Sequence, residues 1–177
     1  LKSQLEALTA IAGGPKGLAL RRVESGKQIE MFSNRQWLTR KRPFVDRMAC
    51  AWLIRRFIDP QATFVFRDER ELQTEKCEGE VTFDVRNGDF THIDDLCTFE
   101  VLVKSFGLTT KAIDTLAAIV HDIDIKDGKF AMPETLGVEM ILKGVRNKTL
   151  SDGETLEQGM AVFEALYLSL TEKNKEN

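Results

Sequence analysis

Apolar residues recur every three to four positions over much of this chain. In FVDRMACAWLIRRFI, from Phe44 to Ile58, the residues Val45, Met48, Ala49, Trp52, Leu53 and Phe57 fall on one helical stripe, and Asp59-Pro60 ends it. Thr98 to Phe106 (TFEVLVKSF) has the same period and is closed by Gly107, a residue free to take the left-handed conformation of a helix end. Thr110 is placed to cap a helix through KAIDTLAAIVHDID, and Pro133 suits the first position of PETLGVEMILKGVRN. Ser151 and Glu154 form a capping box before a last helix whose stripe carries Leu156, Met160, Phe163, Leu166, Tyr167 and Leu170. At the other end, Leu1, Leu5, Leu8 and Ile11 predict a short lead-in helix that stops at Gly13-Gly14-Pro15.

The pattern shortens elsewhere. Trp37 to Arg40, Ala62 to Phe66 (ATFVF) and Val81 to Val85 (VTFDV) are brief and rich in β-branched or aromatic residues, which predicts strands. The charged segment between the last two predicts a small helix or loop. LALRRVESGKQIEMFS reads as a hairpin around Ser25-Gly26. Together these elements predict an α+β, helix-dominated fold in which several packed helices cover a small sheet. The expected division is a lead-in helix and linker over 1–36, the end of a missing N-terminal domain, then one domain over 37–170 and a frayed tail over 171–177.

Composition adds bounds to that picture. With 177 residues, 42% of them apolar, the chain can bury one full core. The 25 basic and 28 acidic side chains nearly cancel, so the overall field favours neither nucleic acid nor an anionic membrane, and anion binding has to be local. Three cysteines (Cys50, Cys77, Cys97) without CxxC spacing argue against a disulfide framework or zinc knuckle and fit a cytoplasmic, reducing setting. No apolar run reaches the roughly 20 residues of a membrane span.

The chemistry lies in two histidine-bearing segments. In AIVHDIDIKDG, His121 and Asp124 are three residues apart on one helix face, while Asp122 points about 100° away. In GDFTHIDDLCTFE, His92 lies where an Asp-rich turn precedes a helix carrying Cys97 and Glu100, also three residues apart. His92, Glu100, His121 and Asp124 would give two imidazoles and two carboxylates, a sensible donor set for divalent iron, manganese or zinc. An EF-hand is excluded because Lys126 and Asp127 occupy the positions of the fifth ligand and the obligatory glycine. Arg40, Arg42 and Arg47 flank the start of the Phe44–Ile58 helix and could bind an oxyanion through their planar forks. They could equally pair with carboxylates. Asp46, Asp84, Asp122 and Arg55 are candidates to brace metal ligands.

In order along the chain, WLTRKRPFVDRMACAWLIRRFIDPQATF (37–64), FDV (83–85), FTHIDDLCTFEVLVKSFGL (90–108), IVHDIDI (119–125) and FEALY (163–167) resemble the C-terminal domain of the chromate-resistance B proteins. The resemblance runs from Trp37 to Tyr167. It implies a stress-response domain, in some members the trailing part of a chromate-responsive transcription regulator that binds DNA through an N-terminal part. The expected function is a sensory metal-binding domain that also takes chromate or a similar oxyanion, free of membrane and able to form a homo-oligomer. The competing expectations are a metalloenzyme acting by redox on a small oxyanion or a reactive oxygen species, and a metal-free ion-pair network.

Overall fold

The computed structural model of the protein describes residues 29–74 and 79–173. The expected lead-in helix and the Ser25-Gly26 turn lie outside the described residues, as do Cys77 and residues 174–177. Three parallel strands form a sheet: β1 (Gln36–Arg40) at the centre, β2 (Thr63–Arg67) and β3 (Glu80–Thr82) on its two sides. Parallel strands require crossovers. Helix α1 (Val45–Leu53) makes the first and the short α2 (Glu69–Thr74) the second; α3 (Thr98–Phe106), α4 (Lys111–Asp124), α5 (Thr135–Lys148) and α6 (Asp152–Lys173) follow. The fold is α+β and helix-dominated, as the periodicity predicts.

Side chains alternate across β1. Trp37 enters the main core and stacks on Phe32 and Phe90, while Leu38 turns to the other face and packs with Val65, Leu72 and Val85. Helix α1 is the centre of the helical layer. Eight of its nine residues are buried, all but Arg47, because α3, α4 and α6 all pack on it. A helix apolar on nearly every side belongs inside. Gly159 of α6 permits the close approach to α1, since a β-carbon there would lie 2.5 Å from Met48 Sδ.

The helix over Phe44 to Ile58 departs from regularity in its last turn, where Ile54–Ile58 widens into a π turn. Asp59 accounts for it. Its buried carboxylate accepts the amides of Asn34, Arg35 and Gln61 and the Trp37 indole N–H, and its own N–H reaches back five residues to the Ile54 carbonyl. Two other boundaries shift. The VTFDV strand ends at Thr82, with one further bridge between Phe83 and Phe90, because Asp84 takes a left-handed backbone (φ 49°). Helix α5 begins at Thr135 rather than Pro133, because both carboxylate oxygens of Asp122 hold the amides of Phe130 and Met132 and draw the preceding loop onto α4. Gly107, Thr110 and Ser151 cap their helices as read.

Candidate metal centre

The first turn of α1 carries Asp46, which is 3% exposed. Its carboxylate does not cap its own helix. Oδ2 accepts the Thr98 amide at 3.0 Å and Oδ1 the Phe99 amide at 2.9 Å, so Asp46 satisfies the free N–H groups that open α3. The Cys50 thiol, one turn along α1, also donates to Oδ1. Asp84 follows β3, and its Oδ2 meets Arg40 Nη2 and Arg47 Nε, each at 3.0 Å. Arg47 is fixed in turn, because its Nη1 donates to the carbonyls of Arg40 and Lys41.

These acids converge on His92, which rides the loop between β3 and α3. Its Nε2 lies 3.2 Å from Asp46 Oδ2, 3.4 Å from Asp124 Oδ2 and 3.5 Å from Asp84 Oδ1. Asp46, His92 and Asp124 each offer a ligand atom within 4.8 Å of the other two. The spacing fits a cation, since donors held about 2.0–2.1 Å from a tetrahedral metal stand roughly 3.3 Å apart. One imidazole nitrogen with carboxylate oxygens suits manganese, iron(II) or zinc. His92 is 38% exposed, so the cluster opens to solvent on one side.

Without a cation the cluster is electrostatically crowded. Burial, then repulsion from Asp46, pushes the Asp124 carboxyl up to about 6. The same two causes raise Asp84, against the opposing pull of Arg40 and Arg47. The bond to Asp46 raises His92 despite its partial burial. Burial lowers Arg47, though Asp84 works against it. Crowded carboxylates around an imidazole are relieved by a proton or by a metal ion, and these compete.

The four ligands expected from sequence do not meet at one point. His92 and Asp124 lie in the cluster, whereas Glu100 and His121 pair with each other: His121 Nδ1 stands 2.7 Å from Glu100 Oε2 in a fully buried position. The second ring nitrogen of His121 faces the two Asp127 oxygens at 3.2 and 3.3 Å. Glu100 also accepts the Cys97 amide at the start of α3. Of the expected braces, Asp46 is itself a donor in the cluster, Asp84 borders it, Asp122 ties down the loop before α5, and Arg55 pairs with Glu157 of α6 outside the network. Of the expected anion ligands, Arg40 and Arg47 brace Asp84, and Arg42 lies apart, its amide on Asp152. Sequence reasoning missed Asp127. Its only signal was a position six residues after His121, beyond the reach of helical spacing. Cys50 and Cys97 are buried thiols, both pushed up by burial and by Asp46, which makes them inert.

The family model described as "ChrB, C-terminal domain" matches residues 37–170. Protein ChrB of Cupriavidus metallidurans is 39% identical over 145 residues, which cover 81% of this chain and 43% of that protein. The chain thus spans less than half the length of the curated relative it matches. No solved structure matches the chain. Among the described residues, no helix is long and apolar enough to cross a membrane.

Proposed function

Since the chain belongs to the ChrB C-terminal domain family, a family of chromate resistance, we propose that it is the sensory part of a chromate-responsive protein and that its sensing centre is a divalent-metal site built by Asp46, His92 and Asp124. The convergence of three carboxylates on His92 Nε2 carries this reading. Asp84 borders the site, paired with Arg40 and Arg47, which add positive charge at its rim. A bound cation would supply a coordination position, on the side left open by His92, that a chromate oxygen or water can fill. Occupancy would act on structure through Asp46, because the carboxylate that would hold the metal also holds the first amides of α3. A DNA-binding part would lie outside this chain and read that change, and two copies acting together would suit such a regulator. The setting of this activity is a cytoplasmic one.

The centre is tested by metal analysis of the purified protein after loading with manganese, iron(II) or zinc. His92→Ala is expected to lose the metal, while His121→Ala, once shown to be folded, is expected to keep it. Equal metal content in wild type and His92→Ala overturns the assignment. Loss in both variants, with His121→Ala folded, restores the four-residue set of His92, Glu100, His121 and Asp124. The open side also suits a metalloenzyme. Sustained turnover of chromate or superoxide by the loaded protein would favour that second reading, since a sensor binds without turnover.

A further inference from the structure

A cavity of about 210 Å³ opens where the turn between β1 and α1 meets the turn between α5 and α6. Arg42 lines it from the first turn and Arg146 from the end of α5, together with Asn147, Thr149 and Asp152. Arg40, Arg47, Arg55, Arg56 and Arg67 all pair with carboxylates, but among the described residues neither Arg42 nor Arg146 has an acidic side-chain partner. Arg146 is nevertheless held in place. Its guanidinium carbon lies 4.9 Å from the centre of the Phe44 ring, a cation–π contact that consumes none of its N–H donors. The Arg42 backbone takes a left-handed conformation (φ 58°), and its N–H donates a hydrogen bond to Asp152 Oδ1 at 2.9 Å.

Two arginines lining one cavity, one held against an aromatic ring and the other carried on a fixed backbone, can receive a small anion with several oxygens. We propose that this cavity is a binding site for a tetrahedral oxyanion that carries a proton, with inorganic phosphate as the reference ligand, and that it is distinct from the histidine and carboxylate cluster. Asp152 sets the preference. A carboxylate in the wall repels a fully ionised oxyanion, whereas hydrogen phosphate can turn its O–H toward it, so phosphate is favoured over sulfate. The site is also wired to the cluster. The Lys41 carbonyl, one residue before Arg42, accepts from Arg47, whose Nε holds Asp84.

Calorimetric titration of chelator-treated protein with phosphate, and separately with sulfate, tests the site. The wild type is expected to bind one phosphate per chain, more tightly than sulfate. Arg146→Gln and Arg42→Gln are each expected to weaken phosphate by about tenfold or more, the loss of a charge-assisted contact. Asp152→Asn keeps an oxygen for the Arg42 amide while removing the charge, and is expected to bring sulfate to within a few-fold of phosphate. His92→Ala, which removes the centre proposed above, is expected to bind phosphate like the wild type. The inference is overturned if wild type binds no phosphate, if folded Arg146→Gln and Arg42→Gln bind it as well as wild type does, or if Asp152→Asn leaves the preference unchanged. Loss of phosphate in His92→Ala would place the anion at the cluster instead.

Discussion

Replacing Asp46 by asparagine removes one oxygen and one charge from a buried group that serves two helices. In the wild type, Oδ1 and Oδ2 each accept one amide, from Phe99 and Thr98. Asparagine can satisfy one of them, and its NH2 then confronts the other donor in a position only 3% exposed. A buried donor left without an acceptor costs about 1–3 kcal/mol, and the remaining bond loses its charge assistance. An opposing gain comes from relieving Asp84 and Asp124, both of which Asp46 repels. That gain offsets part of the loss, because Asp46 is only the second cause of the shift at each acid. The net expectation is a loss of about 2 kcal/mol, read by urea unfolding of chelator-treated protein near neutral pH. Asp46→Ala, which leaves both amides without an acceptor, should lose more. A loss below about 0.5 kcal/mol for Asp46→Asn would mean that the α3 amides find other partners and that Asp46 is not the pivot between α1 and α3. The same variant should lower the pKa of Asp124, which nuclear magnetic resonance can follow directly.

Gly159→Ala places a methyl group 2.5 Å from Met48 Sδ and 3.0 Å from its Cβ, with Met48 fully buried, so thermal unfolding should register a loss of about 1–3 kcal/mol. No change there would show that α6 can slide off α1 without penalty. Burial disfavours the charged form of His121, but the bonds to Glu100 and Asp127 outweigh it and raise the group. Only the imidazolium can donate to carboxylates on both sides. Its contribution is therefore fully present below the unfolded value near 6.5 and is lost as pH rises through the folded value. The stability gap between wild type and His121→Gln should be widest at about pH 6 and narrower at about pH 9, and a gap that grows with pH would contradict a doubly donating ring.

Local pattern carried most of the fold. The stripes of α1, α3, α4 and α6 and the caps at Thr110, Gly107 and Ser151 are set by residues a turn apart, so they are written in short stretches of sequence. The π turn at Ile54–Ile58 was not, because it answers to Asp59 and its partners more than twenty residues upstream. The same division runs through the centre. Spacing places His121 and Asp124 on one face of α4, yet one of them turns into the core to meet Glu100 while the other leans out toward His92. Asp46 reads from sequence as a candidate brace for metal ligands, and the packing of α3 on α1 reveals that it caps another helix 52 residues away. Opposed charges drew the arginines apart as well. Arg40 and Arg47 went to Asp84 and left Arg42 to the turn before α6.

The placement of α6 over α1 also bears on how the chain is made. Leu156, Met160 and Phe163 complete the core around α1, and Trp52 bonds Glu164 across 112 residues of sequence. Contacts so distant in sequence form late, after the intervening loop has been closed. During synthesis every member of the His92 cluster is made before α6. Until α6 docks, α1 carries an uncovered apolar flank, and the growing chain has to be kept from aggregation while the roughly hundred residues between α1 and α6 are translated.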